Sequence, residues 1–152
     1  MPTAWTQNYF HLVFATKDRR PLLDAPLRPR LYAFLGGIAR DLRCTALAIN
    51  GSGDHVHLLV RFHADVAQSA LVRELKARSS KWLHTLEGRG DFAWQEGYGG
   101  FTVSRSQVER VKAYIDQQEA HHAARSFQEE LDELLVRHGL ERSTMGTFER
   151  RE

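Results

Sequence analysis

Apolar and polar residues follow two periodicities along the chain, one typical of strands and one typical of helices. Four segments rich in aromatic and β-branched residues predict strands, at positions 7–16, 44–50, 55–62 and 92–103. Apolar residues spaced three and four apart predict helices at 30–43, 66–86 and 106–124. A short turn, GSGD, joins the second and third strands, so these two are expected to form a hairpin.

A last short helix is predicted to begin at Ser126. Ser126 and Glu129 have the spacing of a capping box, which stabilises the first turn of a helix. Gly139 is expected to end this helix. Its apolar face is predicted to consist of Phe127, Leu131, Leu134 and Leu135.

The predicted order of elements is β-α-β-β-α-β, followed by two helices. This is the split βαβ pattern of ferredoxin-like α+β folds, in which helices cover one face of an antiparallel sheet. The pattern accounts for residues 1–140 as a single domain. Residues 141–152 are polar and are expected to form a poorly ordered tail.

Composition favours a globular protein in a reducing compartment. The 152 residues are 42% hydrophobic and 26% charged, a balance that suits one domain with a real core. No apolar run approaches the roughly 20 residues that span a bilayer, and no signal peptide is recognisable. The single cysteine, Cys44, is expected to be a buried, inert thiol. A cytoplasmic location is therefore expected.

Basic residues are concentrated in two segments, although the net charge is only +2. One segment contains Lys17, Arg19 and Arg20, and the other contains Arg73, Lys76, Arg78 and Lys81. Such local excess is compatible with binding a polyanion. A solvated helix face would have the same composition, so both interpretations stay open.

His55 and His57 flank Val56 within a predicted strand. Side chains alternate across a strand, so both imidazoles should project from the same face. Two neutral imidazoles on one face are a natural half of a metal site. The alternative is that both are half-exposed histidines on a sheet.

Tyr114 lies in the middle of a predicted helix, with Gln118 one turn later on the same face. Tyr114 could be a boundary residue with a packed ring, or it could be a nucleophile. A tyrosine hydroxyl has a pKa near ~10 and is a weak nucleophile at neutral pH. A metal at a scissile phosphate would offset this by neutralising charge in the transition state. Two histidines and an amide oxygen would leave positions open for phosphate oxygens.

Several segments together resemble the single-tyrosine HUH transposases of the IS200/IS605 type. They are the H-V-H of DHVHLLV, the Tyr114-x-x-x-Gln118 pattern, and the stretches HLVFATKDRRP, LKARSSKWL and WQEGYGGFTVS. The resemblance extends from about Tyr9 to Gly139, with the segments in the family's order. Because several independent segments agree, chance occurrence of one H-V-H does not explain the match.

The resemblance implies a metal-dependent enzyme that breaks and rejoins single-stranded DNA carrying hairpins. It implies that His55, His57 and Gln118 bind Mg²⁺ or Mn²⁺, and that Tyr114 forms a 5′-phosphotyrosine. Candidate contacts to the DNA backbone are Lys17, Arg19, Arg73, Lys76 and Lys81.

A homodimer is also expected, because one tyrosine holds one DNA end while moving a segment requires two breaks. An exposed edge strand offers a seam for pairing two copies. The resemblance adds that Tyr114 of one chain could face His55 and His57 of the other. Gly99 and Gly100 could then act as the hinge of the tyrosine helix.

Related proteins provide alternatives. HUH replication initiators usually place a lysine about one turn after the tyrosine, where this chain has Gln118, and relaxases place the tyrosine before the histidine motif. A domesticated relative acting on repeated extragenic palindromes is a close variant. Outside the family, a non-catalytic nucleic-acid-binding module and a hydrolase that uses water are the competing classes.

Five further residues have two interpretations each. Tyr98 could be a nucleophile or structural, and His121 could be the third metal ligand in place of the glutamine. His11 could approach the site or pack in the sheet. Asp54 could orient a histidine or stabilise a turn. Trp94 or Tyr98 could stack a base.

Overall fold

Four antiparallel strands form one sheet in the computed structural model, which describes residues 4–118 and 126–140. In chain order the strands are β1 (Asn8–Ala15), β2 (Thr45–Gly51), β3 (His55–Phe62) and β4 (Gly99–Val103). Their order across the sheet is β2-β3-β1-β4, so β1 and β3 are central. The helices within the described ranges are α1 (Leu27–Asp41), α2 (Gln68–His84), α3 (Val108–Asp116) and α4 (Phe127–Arg137). The predicted α+β fold class is confirmed.

The two faces of the sheet are covered by different helices, because successive residues of β3 point to opposite sides. Even-numbered residues such as Leu58 belong to the larger core, which α1 and α2 share. Odd-numbered residues, His55, His57 and Leu59, point the other way, where Leu59 packs with Ile115 of α3. The predicted arrangement of helices on one face of the sheet therefore applies to α1 and α2. The C-terminal helices, α3 and α4, cover the other face, which carries the histidines.

Only the second half of the strand predicted at 92–103 forms β4. The Lys76 ammonium group donates hydrogen bonds to the backbone carbonyl oxygens of Gln95 and Gly97. These carbonyls are turned toward a side chain from α2 instead of toward a neighbouring strand. The strand therefore begins only at Gly99, after this contact.

Gly99 and Gly100 lie inside β4, where they pair with Val13 and its neighbour in β1. A Cβ atom at Gly99 would lie 2.8 Å from Val13 Cγ1, so close packing explains the glycine at this position. The junction between β4 and α3 is Ser104 followed by a 3-10 turn, Arg105–Gln107. The two glycines thus lie within the paired strand, several residues before the junction with the tyrosine helix, so a hinge at these glycines stays a prediction.

Two helix boundaries differ from the predictions. Helix α1 begins at Leu27, earlier than expected, with Pro29 in its first turn, where a backbone N–H has no intrahelical partner. Helix α3 is shorter than the predicted 106–124, and residues 119–125 lie outside the described part of the chain.

Both predicted ends of α4 are present. The Ser126 hydroxyl oxygen accepts a hydrogen bond from the Glu129 N–H at 3.3 Å, and the hydroxyl donates to Glu129 Oε1 at 3.1 Å. Gly139, just beyond the helix, has a φ of +67°, a conformation that favours glycine. The buried apolar residues of α4 are Phe127, Leu131 and Leu134.

Three further expectations concern Cys44, membrane-spanning helices and the C-terminal tail. Cys44 is a buried free thiol, as predicted. Within residues 4–118 and 126–140, no helix combines the length and apolar character needed to cross a bilayer. The tail expected at 141–152 lies outside the described residues.

Candidate active site

His55 and His57 lie on the same face of β3, and both are fully buried. His57 pairs with Val13 of the neighbouring strand β1, which fixes its position in the sheet. The ring of Phe127, from α4, covers His55 with ring centroids 4.4 Å apart. Because neither imidazole reaches solvent, the alternative of two half-exposed histidines is wrong.

A partner at Nδ1 fixes the orientation of each imidazole. His55 Nδ1 lies 2.7 Å from Asp54 Oδ1 and 3.1 Å from the Ser52 hydroxyl oxygen. His57 Nδ1 lies 2.7 Å from His11 Nε2. When Nδ1 is held in this way, Nε2 is the nitrogen suited to bind a metal. Asp54 therefore orients a histidine, and His11 both packs in the sheet and contacts the site.

A carboxylate from α4 meets the two imidazoles on this face. Glu130 is fully buried, and its Oε1 lies 2.6 Å from His57 Nε2 and 3.6 Å from His55 Nε2. One ligand atom from each of the three residues can be chosen so that all lie within 4.8 Å of one another. The site thus combines residues from a strand and from the last helix.

Glu130 was not predicted as a site residue, although the chain contains a signal for it. Positions 127, 130, 131 and 134 have the spacing of a stripe that one helix face buries. A carboxylate in such a stripe is rarely buried unless it is paired or binds a metal. The position of Glu130 in the buried stripe therefore indicates a carboxylate that is paired or binds a metal.

Burial and the neighbouring charges shift the pKa values of two histidines in opposite directions. Burial, followed by the proximity of His57, holds the pKa of His11 well below its usual value. Burial also acts to lower the pKa of His55, but hydrogen bonds to Asp54 and Glu130 act against it and the net pKa is raised. A neutral His11 can accept a hydrogen bond from the Nδ1–H of His57.

Tyr114 lies beside the histidines of its own chain. Its ring centroid is 6.0 Å from that of His57 and 6.1 Å from that of His11. Helix α3 is held against the sheet by the buried residue Ile115, next to Tyr114. In this structure the tyrosine helix therefore packs on its own sheet and does not extend away from it.

Gln118 is fully buried, one helical turn beyond Tyr114. Just before it, the backbone carbonyl oxygen of Asp116 accepts a hydrogen bond from Asn50 Nδ2 at 3.2 Å. Asn50 is the residue of β2 that pairs with His57. The end of α3 is thus anchored beside the histidine strand. His121, the alternative third ligand, lies outside the described residues.

A cleft of about 670 Å³ opens between α3 and α4 beside Tyr114. His11 lines it, so the cleft reaches the sheet next to the histidine pair. Arg110 of α3 and Arg137 of α4 also line it, and Arg137 forms an ion pair of 2.7 Å with Glu133. The cleft offers a path by which an anionic strand could reach the tyrosine.

Two of the five candidate DNA contacts are engaged inside the molecule. Arg19 donates a hydrogen bond to the Gln128 side chain, and its guanidinium carbon lies 5.4 Å from the centre of the Phe127 ring. Lys76 binds the two carbonyls before β4, and burial lowers its pKa to about 8. The three exposed candidates are Lys17, Arg73 and Lys81. Of these, Arg73 and Lys81 are on α2, across the sheet from the tyrosine.

Trp94 and Tyr98, the two aromatic candidates near β4, are both partly buried. Trp94 Nε1 donates to the Ser79 hydroxyl at 2.9 Å, and the indole packs edge-on against Phe14 with centroids 4.9 Å apart. Tyr98 is half-buried, and this burial raises its pKa. A raised pKa makes the phenol harder to ionise, which disfavours Tyr98 as a nucleophile.

The donor atoms fit a divalent cation. Ligand atoms at roughly 2.1 Å from an octahedral ion, and at right angles, are about 3 Å apart. The two distances from Glu130 Oε1 to the imidazole nitrogens, 2.6 and 3.6 Å, bracket that value. A small shift of the carboxylate would therefore accommodate an ion between the three residues.

Comparison with known proteins places the chain among transposase-like proteins. Residues 4–118 match the family described as IS200-like transposases. A candidate transposase of known structure from Deinococcus radiodurans R1 has 24% sequence identity and a TM-score of 0.62, over 78% of this chain and 95% of that one. A REP-associated tyrosine transposase, solved bound to a REP hairpin, has 16% identity and a TM-score of 0.61, over 80% of this chain and 73% of that one. No curated protein matches the chain.

Proposed function

We propose that this chain, which belongs to the family of IS200-like transposases, cleaves and rejoins single-stranded DNA with Tyr114 as the nucleophile. The observation that carries the proposal is the position of Tyr114. It lines an open cleft and lies with its ring centroid 6.0 Å from that of His57, whose Nδ1 is already engaged. A nucleophile and a candidate metal site therefore share one face of one chain.

The proposed reaction is a transesterification at phosphorus. The Tyr114 oxygen forms a bond to the phosphorus and loses its phenolic proton to solvent. The phosphodiester bond to the 3′ oxygen breaks, and the departing 3′ oxygen takes up a proton from solvent. The products are a 5′-phosphotyrosine and a free 3′-hydroxyl. Because the phosphotyrosine retains the energy of the original ester, a second 3′-hydroxyl can reverse the step without ATP.

We propose that His55, His57 and Gln118 hold the divalent cation, Mg²⁺ or Mn²⁺. When bound, the ion supplies charge neutralisation at the phosphate, which compensates for a weakly acidic phenol. The protein contributes orientation: Asp54 and His11 hold the two imidazoles through Nδ1. The complete burial of Gln118 next to the histidine strand supports its assignment.

The proposed substrate is single-stranded DNA that carries a hairpin. Arg110 and Arg137 line the cleft and are suited to contact the phosphates nearest to Tyr114. The exposed residues Arg73 and Lys81 lie over the opposite sheet face, so we assign them to more distant parts of the strand. A relative of similar fold was solved with a REP hairpin, which motivates the choice of a hairpin probe.

The test is capture of the covalent intermediate. The protein is incubated with Mn²⁺ and an end-labelled strand that carries a hairpin, and adducts that survive denaturation are resolved by size. We expect Tyr114→Phe to abolish the adduct while DNA affinity stays within about twofold, because only the attacking oxygen is lost. Tyr98→Phe is the matched control and should retain the adduct. An adduct in the Tyr114→Phe protein that disappears in the Tyr98→Phe protein would reassign the nucleophile.

A further inference from the structure

We propose that Glu130 is itself a metal ligand, so that His55, His57 and the Glu130 carboxylate bind a divalent cation of the Mn²⁺ class before DNA arrives. This inference rests on the metal site of the proposed function and extends it to the last helix. It adds a negatively charged ligand to a set that otherwise contains only neutral groups.

Geometry supports the assignment. Glu130 Oε1 lies 2.6 Å from His57 Nε2 and 3.6 Å from His55 Nε2, the nitrogens that Asp54 and His11 leave directed at the site. All three side chains are fully buried. A buried carboxylate is costly unless it is hydrogen-bonded or a positive charge compensates it. Without metal, the imidazoles of His57 and His55 are the partners of the carboxylate, and a cation between the three residues would replace that direct contact.

Contacts at both ends of α4 hold the carboxylate in place. At the start of the helix, the Phe127 ring packs against His55 with ring centroids 4.4 Å apart and the ring planes tilted by 30°. After its end, His138 stacks on Phe101 of β4 with centroids 4.6 Å apart. Glu130 is therefore presented by a docked helix and not by a loose side chain.

The ligand set determines the charge and the preference of the site. Two imidazoles and an amide leave the full charge of the cation for the DNA phosphate, whereas a carboxylate removes one unit of it. The same carboxylate should retain the ion in the absence of DNA. Mixed imidazole and carboxylate ligands suit Mn²⁺ better than Mg²⁺, which prefers oxygen ligands and water. An octahedral ion with three or four protein ligands still has positions for phosphate oxygens.

The test is a titration of the DNA-free, full-length protein with Mn²⁺, in which electron paramagnetic resonance measures the free ion. Glu130→Gln keeps the size of the side chain and removes its charge. We expect this change to weaken Mn²⁺ binding by roughly tenfold or more, since even residues that only orient ligands contribute that much. Glu129→Gln, the adjacent residue on α4, is the matched control and should bind Mn²⁺ as the unchanged protein does.

Each outcome bears on the proposal. Unchanged Mn²⁺ affinity in Glu130→Gln would overturn it, and so would tighter binding, which would make the carboxylate a competitor of the ion. Thermal unfolding without metal separates a folding defect from a lost ligand, and Glu130→Asp should recover part of the affinity if the charge is what matters. The titration contains no DNA, so its failure leaves the role of Tyr114 standing. His57→Ala should also weaken Mn²⁺ binding, because His57 and Glu130 would bind the same ion.

Discussion

At the scale of single residues, His57 connects the two sides of the site. Its Nδ1 lies 2.7 Å from His11 Nε2, and its Nε2 lies 2.6 Å from Glu130 Oε1. Burial, followed by the proximity of His57, lowers the pKa of His11, which favours the neutral ring that can accept a hydrogen bond. The Nδ1–H of His57 can then donate to His11, which leaves the Nε2 lone pair directed at the metal site. We infer from this contact that His11 positions His57.

We predict that His11→Phe weakens Mn²⁺ binding by about 10- to 100-fold, the range measured when outer partners of ligating histidines are lost. Phenylalanine fills the space but cannot accept a hydrogen bond, so the buried Nδ1–H of His57 would lose its partner. His11→Gln retains an acceptor and should recover part of the affinity. The measurement is the same Mn²⁺ titration, together with thermal unfolding of the metal-free protein. If His11→Phe binds Mn²⁺ as tightly as the unchanged protein, His11 only packs in the sheet and does not position His57.

The residue-scale features that could be predicted are the local ones. Strand alternation alone placed His55 and His57 on one face, because the two residues are neighbours in the sequence. The contacts of His57 with His11 and Glu130 join residues 46 and 73 positions apart. No local periodicity determines which distant side chains meet. His11 was a candidate and Glu130 lies in a buried stripe, but their pairing with His57 became visible only in the fold.

At the scale of elements, α4 contributes Glu130 to the site, although it lies beyond residues 4–118, the part that matches the family. Its first residue, Phe127, contacts both His55 and the guanidinium group of Arg19. Arg19 also hydrogen-bonds Gln128 on the next position of the helix. Arg19 therefore helps to hold the start of α4 against the histidine face.

We predict that Arg19→Ala increases amide exchange in α4 and has little effect on DNA affinity. A cation–π contact at a partly exposed position contributes about 0.5–1 kcal/mol, so a several-fold faster amide exchange in α4 is expected. Hydrogen exchange followed by mass spectrometry measures this, and Mn²⁺ affinity should fall in parallel. Lys17→Ala, an exposed neighbour, is the control. A shallower salt dependence of DNA binding, with α4 protection unchanged, would instead identify Arg19 as a phosphate contact.

Element prediction succeeded where the pattern was regular and failed where a distant side chain intervened. β3 matches its predicted range, and the Ser126 cap and Gly139 stop of α4 are both present. The late start of β4, at Gly99 instead of residue 92, has a non-local cause, because Lys76 from α2 binds the carbonyl oxygens of Gln95 and Gly97. The periodicity of apolar residues along one segment cannot predict a contact with a side chain from another helix.

At the scale of the whole molecule, the sheet ends in two edge strands, β2 and β4. Either edge offers backbone groups to a second copy, and strand transfer between two DNA ends needs two tyrosines. We therefore retain the homodimer as a proposal, measurable by sedimentation at micromolar concentration. The position of Tyr114 beside its own His57 bears on how such a dimer would work.

We predict that two inactive variants, Tyr114→Phe and His57→Ala, do not complement each other. If each site is built within one chain, every chain in the mixture lacks either the nucleophile or a ligand. The adduct assay on the mixture should therefore show no recovery, with heterodimer formation verified by differently tagged chains. Recovered cleavage would mean that the tyrosine and the histidines of different chains combine.

The separation of the site along the chain has a consequence for protein synthesis. A ribosome completes β3 and the tyrosine helix α3 before it reaches Glu130, which lies 73 positions after His57. A nascent chain, or a product ended early by a frameshift, would thus carry the nucleophile and both histidines without the carboxylate. If Glu130 retains the ion, these incomplete chains bind metal weakly. Capacity to retain the metal would then arise only after α4 has been synthesised.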